Sequence, residues 1–198
     1  MRPTLRILSR LRRRPVRSLG GAIGVLAAII VALNSAHALP NAQQFLNSQP
    51  GLYPVVHVND GDTIIVKTPT GDETIRLLGV DTPEVKDPRK PVQCFGEQAS
   101  AHTKKIMAGA SVRLEPDPQD TDRDKYGRLL RYVYLPDGTL YNAELIRDGY
   151  GFAYTVFPIT KLDEFRQLER EAREAGRGLW AGCNIDDSTK IKQTKGAK

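Results

Sequence analysis

The sequence predicts an α+β fold in which a small five-stranded barrel is flanked by three helices. Two observations indicate this layout. Short β-branched, apolar runs are separated by turn sequences, and amphipathic runs with helical spacing occur among them. The order along the chain is three strands, one helix, two strands and two helices. A chain of 198 residues accommodates one such domain with additional segments at its ends.

The five predicted strands are short and are bounded by Asp-Gly, Thr-Gly-Asp and Pro-Asp-Gly turns. They cover residues 53–59, 63–68, 73–80, 111–115 and 129–135. The three predicted helices cover residues 97–108, residues 142–148, and an amphipathic stretch with apolar side chains at Leu162, Phe165, Leu168, Ala172 and Leu179. A capping box at residues 160–163 is expected to begin the third helix, and Gly176 and Gly178 are expected to end it.

The first 38 residues have the pattern of a signal peptide. Seven arginines and no acid occur up to residue 17, an apolar run covers residues 19–33, and Ala36-His-Ala38 predicts cleavage after Ala38. The apolar run of about 15 residues is shorter than the ~20 residues that span a bilayer. We therefore expect export to the periplasm or the outside of the cell, with a retained membrane anchor as the alternative.

The remaining chain is expected to form a linker over residues 39–52, one domain over 53–183 and a disordered basic tail over 184–198. Seven of the 29 basic residues belong to the leader, which leaves 22 against 23 acidic residues and a net charge near −1. Bulk charge therefore does not predict nucleic-acid binding, and any phosphate binding depends on locally placed Arg and Lys.

The two cysteines, Cys94 and Cys183, lie at opposite ends of the predicted domain. In an exported protein such a pair favours a disulfide. Two free buried thiols remain an alternative. A zinc site is disfavoured, because the sequence around them has neither a Cys-x-x-Cys motif nor a nearby histidine.

Three short segments carry side chains that suit chemistry on a phosphate ester. They are Asp60-Gly-Asp-Thr63, Ile75-Arg-Leu-Leu-Gly-Val-Asp-Thr-Pro-Glu84 and Asp124-Lys-Tyr-Gly-Arg128. Each segment alone is typical of a polar turn. Together they supply hard oxygen ligands for a divalent cation, a spare carboxylate for proton transfer and two guanidinium groups for negative charge. The six candidate residues are Asp62, Arg76, Asp81, Thr82, Glu84 and Arg128.

A regular strand would point Arg76 and Asp81 to opposite faces, because their positions differ by an odd number. If both serve one site, the strand has to end or bulge near Gly79. The histidines offer no competing catalyst: His57 and His102 lie in no pattern with Ser or Cys that suggests a triad.

These segments, with Gly96-Glu-Gln-Ala-Ser100 and Gly178-Leu-Trp180, resemble the staphylococcal nuclease (thermonuclease) family. The resemblance covers about residues 55–180, which is most of the chain after the leader. It implies an OB-fold barrel with three helices, a Ca²⁺ cofactor, and hydrolysis of DNA and RNA that leaves 3′-phosphate ends.

The resemblance also implies individual roles. Asp62 and Asp81 correspond to carboxylate ligands of Ca²⁺, and Thr82 corresponds to a ligand through its backbone carbonyl. Glu84 corresponds to the general base that positions the attacking water. This ligand set agrees with the chemistry of calcium, which takes about six to eight oxygen ligands and leaves room for water and a phosphate oxygen.

The remaining implied roles concern the substrate. Arg76 and Arg128 correspond to the pair that holds the scissile phosphate, Lys125 and Tyr126 to phosphate contacts, and Tyr154 to the lining of the base pocket. Position 156 departs from the family's best-known member, since valine replaces a second pocket tyrosine there.

We weighed two alternative functions. One is a non-catalytic OB-fold module that binds nucleic acid, and the other is an envelope interaction protein held by an uncleaved leader. A degenerate domain should lack several of the six candidate residues, whereas this chain has all of them. We therefore expect a monomeric endonuclease with DNA and RNA as its partners, no obligate protein partner, and membrane contact only if the leader is retained.

Overall fold

A computed structural model of the chain describes residues 51–85 and 92–196. The predicted signal peptide and all but the last two residues of the predicted linker lie outside the described residues. Within the described ranges, no helix combines the length and apolar character needed to cross a membrane.

The described strands form one barrel and two small paired sheets. In chain order they are β1 Leu52–Val58, β2 Thr63–Thr68, β3 Gly71–Leu77, β4 Val80–Asp81, β5 Ser111–Glu115, β6 Leu129–Tyr134, β7 Phe152–Ala153, β8 Ile185–Asp186 and β9 Gln193–Thr194. The barrel closes in the order β1-β2-β3-β6-β5, with β3 and β6 parallel and the other neighbours antiparallel. The predicted five-stranded α+β barrel is confirmed.

Alternation along the strands explains the barrel interior. In β3, Ile75 and Leu77 are fully buried, whereas Arg76 between them points away from that interior. Ile64 and Val66 of β2 alternate in the same way. Each buried aliphatic side chain contributes about 1.5–3 kcal/mol by leaving water. The same alternation that fills the barrel therefore presents Arg76 on its outer face.

The described helices are α1 Gly96–Met107, α2 Tyr141–Arg147, α3 Leu162–Glu174 and a single turn, α4 Leu179–Gly182. The three predicted helices are confirmed, but Leu179 belongs to α4 and not to α3. Two glycines with positive φ, Gly176 and Gly178, separate these elements. A Cβ at Gly178 would lie 2.2 Å from the Gly149 oxygen, so the close approach of these two segments requires glycine there.

The predicted capping box of α3 is not formed. The N-cap of the helix is Lys161, which makes no side-chain cap, so Thr160 lies one position before the cap. The Thr160 hydroxyl donates to Asp117 Oδ2 at 2.6 Å, and the Thr160 N–H donates to the same oxygen at 2.7 Å. Asp117 is only 5% exposed, and a buried carboxylate needs such donors, so these two bonds orient Thr160 toward Asp117.

A disulfide joins Cys94 to Cys183 across 89 positions, as predicted for an exported protein. The prediction of a disordered tail over residues 184–198 is wrong for its described part, because β8 and β9 pair with each other there. The Cys94 N–H donates to the Lys195 oxygen at 3.2 Å, and the Thr194 hydroxyl donates to the Cys94 oxygen at 2.8 Å. Backbone pairing beside the disulfide thus orders a segment that has little apolar surface.

Candidate functional site

The turn between β3 and β4 brings Arg76 and Asp81 to one face. Strand β3 ends at Leu77, and Gly79 adopts a φ of 73° before β4 begins at Val80. The Arg76 Nη2 atom then donates to Asp81 Oδ1 at 2.7 Å. The predicted interruption of the strand near Gly79 is confirmed.

A buried asparagine that the sequence did not single out holds this turn. The Asn142 amide nitrogen donates to the Leu78 oxygen at 2.9 Å, and its amide oxygen accepts the Val133 N–H at 2.8 Å. Asn142 is fully buried in α2 and so connects the turn to strand β6. A lone asparagine in a short amphipathic helix carries no sequence signal for this role.

The Arg76 guanidinium lies between two acidic side chains. Its Nη1 atom is 2.8 Å from Asp62 Oδ2 and donates to the Val80 oxygen at 2.7 Å, while Nη2 binds Asp81. Only 14% of the Arg76 side chain and 8% of the Asp62 side chain are exposed. Burial alone would lower the pKa of Arg76, but the neighbouring carboxylates outweigh it and raise the pKa. The guanidinium is therefore charged and held in a defined orientation.

Thr82 contacts the same carboxylate. Its N–H donates to Asp62 Oδ2 at 2.8 Å, which places the start of the Thr82-Pro-Glu84 segment against the β1–β2 hairpin. A Cβ at Gly61 would lie 2.7 Å from the Thr82 hydroxyl oxygen, so this hairpin position accepts only glycine without a shift. The first two predicted segments are thus in direct contact.

Asp60 joins this acidic group, although the sequence suggested only a turn residue there. Its Oδ1 accepts the Asp62 N–H at 3.2 Å. Burial and the nearby Asp62 charge raise the pKa of Asp60 to about 7, and burial raises the pKa of Asp81 to about 6 against the opposing effect of Arg76. Three carboxyl groups, those of Asp60, Asp62 and Asp81, thus lie together around one guanidinium, an environment that favours a bound cation.

The predicted calcium ligands are compatible with this environment. Among the described residues, no three His, Cys, Asp or Glu side chains lie close enough together to hold a metal ion by themselves. The proposed set of two carboxylates, Asp62 and Asp81, with the Thr82 carbonyl accordingly relies on further oxygens from water and substrate. Hard oxygen donors of this kind suit Ca²⁺, which tolerates varied ligand geometry.

Glu84 lies at the end of the same segment. Its N–H donates to the Gln93 side-chain oxygen at 2.7 Å, and its Oε1 accepts the Val85 N–H at 2.8 Å. The Glu84 charge contributes to the raised pKa of Asp81, so its carboxylate acts on the acidic group electrostatically. Glu84 is half-buried.

A cavity of about 640 Å³ brings the second arginine to this region. Its lining includes six of the predicted site residues: Arg76, Asp81, Lys125, Tyr126, Arg128 and Tyr154. The other three, Asp62, Thr82 and Glu84, are not among the lining residues. Phe157 and Ile191 also line the cavity, although no sequence pattern pointed to either of them.

Asp124 organises the segment that carries Arg128. Its Oδ2 accepts the Arg128 Nε–H at 2.7 Å, and its Oδ1 accepts the backbone N–H groups of Tyr126 and Arg128 at 2.9 and 3.0 Å. Burial would raise the pKa of Asp124, but these donors outweigh it and lower the pKa. Lys125 Nζ and the Arg128 guanidinium lie 5.0 and 5.4 Å from the Tyr126 ring centre.

Aromatic side chains form the outer part of the cavity. Tyr126 is 72% exposed and Phe157 is 54% exposed, while Tyr154 is half-buried with its ring 6.2 Å from that of Phe157. The Tyr154 N–H donates to the Gly79 oxygen at 2.9 Å, which links this wall to the turn beside Arg76. A cavity with both guanidinium groups and aromatic rings can hold phosphate and base together.

Comparisons with known proteins identify the family of the chain. A family model described as "Staphylococcal nuclease homologue" matches residues 74–182. The protein named Thermonuclease of Staphylococcus hyicus is 37% identical over 167 residues, which cover 81% of this chain and 96% of that protein. Thermonuclease of Staphylococcus intermedius is 42% identical over 132 residues, covering 65% of this chain and 75% of that protein.

A third relative comes from another genus. Endonuclease YncB of Bacillus subtilis (strain 168) is 44% identical over 124 residues, which cover 62% of this chain and 58% of that protein. The matched part of this chain includes the last four residues of strand β3, all of β5 and β6, and all four described helices.

Proposed function

The chain belongs to the staphylococcal nuclease family, and from that premise we propose that it is an exported, calcium-dependent endonuclease. It hydrolyses phosphodiester bonds of DNA and RNA and leaves 3′-phosphate ends. The observation that carries the proposal is the Arg76 guanidinium, which two carboxylates hold beside a cavity that Arg128 also lines. The Cys94–Cys183 disulfide supports export, since such bonds persist in oxidising compartments.

We assign the calcium ligands to the acidic group around Arg76. Asp62 and Asp81 would contribute carboxylate oxygens, and Thr82 would contribute its backbone carbonyl. When bound, Ca²⁺ supplies a positive charge that polarises the phosphate and stabilises charge developing on its oxygens. The close grouping of Asp60, Asp62 and Asp81 around Arg76 supports this assignment, because a cation would relieve the repulsion among these carboxylates.

The protein side chains then divide the reaction between them. Glu84 takes a proton from water as the water oxygen attacks phosphorus, and Arg76 and Arg128 bind the non-bridging phosphate oxygens, whose charge increases. The bond from phosphorus to the 5′ oxygen breaks. The 5′ oxygen leaves as a hydroxyl after taking a proton from solvent, and the phosphate stays on the 3′ side.

Substrate binding is assigned to the cavity wall. Lys125, Tyr126 and Tyr154 all line the cavity. Lys125 and Tyr126 would contact a nucleotide phosphate, and Tyr154 would contact a base. Base stacking on aromatic rings tolerates all four bases, so this wall supports activity on different sequences and on both sugars.

The decisive experiment is digestion of single-stranded DNA in Ca²⁺ or in chelator, with the wild type, Glu84→Gln and a control, Glu97→Gln. Glu97 is an exposed acid in α1 and should not affect the rate. We expect a loss of about 10²–10⁴-fold for Glu84→Gln, the range typical of a general base. Equal rates for all three proteins would refute the catalytic assignment, and undiminished activity in chelator would refute the metal requirement.

The product ends test the direction of cleavage. A 3′-phosphate blocks extension by a DNA polymerase until a phosphatase removes it. We therefore expect the products to prime synthesis only after phosphatase treatment. Immediate extension would show 3′-hydroxyl ends and would contradict the proposed bond cleavage.

A further inference from the structure

The main chain at Glu84 is held by a glutamine nine positions further along. Gln93 accepts the Glu84 N–H on its side-chain oxygen at 2.7 Å and donates its own N–H to the Glu84 oxygen at 3.0 Å. Both polar groups of the Glu84 backbone are thus bound by one residue.

Gln93 is held in turn by the C-terminal segment, residues 185–196. Its side-chain nitrogen donates to the Gln193 side-chain oxygen at 3.3 Å, and its backbone forms a bridge with Gly196. The adjacent Cys94 is bonded to Cys183 and exchanges hydrogen bonds with the same segment. The disulfide therefore anchors both sides of this contact.

The C-terminal segment also touches the other side of the site. Lys192 Nζ lies 2.8 Å from Glu169 Oε2, and Glu169 Oε1 accepts the Ala153 N–H at 3.0 Å. Ala153 belongs to β7, which pairs with the strand that carries Asp81. Ile191, the residue before Lys192, lines the cavity. The segment thus contacts elements on both sides of the acidic group.

We infer that Gln93 is a positioning residue for Glu84, and that the C-terminal segment acts on the reaction by holding Gln93. This inference rests on the proposed function, in which Glu84 is the general base. Its physical basis is the sensitivity of proton transfer to placement, since a shift of about 1 Å in a reacting group can lower a rate by about 10²-fold. Without the Gln93 side chain, the Glu84 N–H loses this acceptor, whereas the bond from the Gln93 backbone N–H to the Glu84 oxygen remains, so the segment is held less firmly.

The test compares kcat and KM for single-stranded DNA at saturating Ca²⁺ in the full chain. Gln93→Met keeps the length of the side chain but removes its acceptor, whereas Gln93→Glu keeps an acceptor oxygen. We expect Gln93→Met to lower kcat by about 10-fold to 100-fold with KM changed less than about threefold. Gln93→Glu should recover most of the rate. Gln98→Ala, at an exposed position of α1, serves as the control.

A double-mutant cycle separates positioning from general structural damage. In the Glu84→Gln background the base is absent, so adding Gln93→Met should change the residual rate by less than about twofold. The same loss in both backgrounds, or no loss in the wild-type background, would overturn the inference. Thermal unfolding of each variant identifies any that has lost its fold, and Gln93→Glu then remains as the informative variant.

A separate variant tests the role of the C-terminal segment. Gln193→Ala removes only the outer partner of Gln93, and we expect it to lower kcat by about threefold. An unchanged kcat would show that the segment does not act through Gln93. If the wild type is active and Glu84→Gln is not, the proposed function stands whatever the Gln93 variants show. If Glu84→Gln is as active as the wild type, the proposed function itself fails.

Discussion

Replacement of Arg76 by lysine separates the two tasks of the guanidinium, which holds the acidic group together and binds phosphate. Arginine bridges Asp62 and Asp81 at 2.8 and 2.7 Å and also donates to the Val80 oxygen at 2.7 Å. A single ammonium keeps the charge but does not reproduce the two-sided fork. At least one charge-assisted hydrogen bond is therefore lost.

The expected magnitudes differ for stability and for rate. Loss of one or two hydrogen bonds to buried carboxylates should lower the free energy of unfolding in chelator by about 2–3 kcal/mol. Loss of a donor to the developing phosphate charge should lower kcat/KM by about 10²–10³-fold. When Ca²⁺ is present at about 100 times its Kd, its binding raises the free energy of unfolding by about 2.7 kcal/mol. Calcium should therefore restore much of the stability of Arg76→Lys but none of its rate.

Urea unfolding in chelator and in Ca²⁺, with digestion of single-stranded DNA in parallel, measures both effects. Arg147→Lys is the matched control, because Arg147 is paired with the adjacent Asp148 and is about half exposed. A kcat/KM for Arg76→Lys within about fivefold of the wild type would refute the assigned role of the fork. Recovery of the rate by excess Ca²⁺ would show that the loss reflects metal affinity instead.

Three further predictions follow from other parts of the structure. Burial would raise the pKa of Asp117, but hydrogen bonds from Thr160 and Tyr132 outweigh burial and lower the pKa. The stability that this carboxylate contributes to the fold is therefore present above its unfolded pKa and is lost as the pH falls through its folded pKa. Asp117→Asn should lower the unfolding free energy near neutral pH by about 2–3 kcal/mol and flatten its dependence below pH 5, as urea titrations across pH would measure. Replacing both Cys94 and Cys183 by serine should lower that free energy by about 4 kcal/mol, and an unchanged urea midpoint would contradict this. Tyr126→Ala should raise KM for single-stranded DNA by about 5-fold to 100-fold with little change in kcat, whereas a selective loss of kcat would point to a role in the chemistry.

The barrel and most of the site could be predicted because their signals are local. Alternation of apolar residues in β3 identifies Ile75 and Leu77 as interior positions, and the odd spacing of Arg76 and Asp81 required the interruption that Gly79 provides. Each of these inferences depends on residues within one short segment. The spacing also identified Phe165 and Ala172, which are the buried residues of α3.

What the sequence did not predict depends on partners that are distant along the chain. Thr160 was expected to cap α3, but its hydroxyl donates a hydrogen bond to Asp117, 43 positions away. Gln93 and Gln193 are 100 positions apart, and glutamine is an ordinary surface residue, so neither position stands out in the sequence. The order of the C-terminal segment likewise comes from the disulfide and backbone pairing, which composition does not encode.

Residues 39–198 carry 22 basic and 23 acidic side chains, and this near-neutral charge gives the two arginines a particular importance. Asp62 and Asp81 hold Arg76, and Asp124 holds Arg128, so neither guanidinium has to be ordered when a phosphate binds. The same carboxylates would repel a phosphate in the absence of a cation, because their charges lie beside the groups meant to attract it. Under the proposed function, the acidic group therefore requires a bound cation for a second reason besides catalysis. Local placement of opposite charges thus replaces the broad basic surface that other nucleic-acid-binding proteins present.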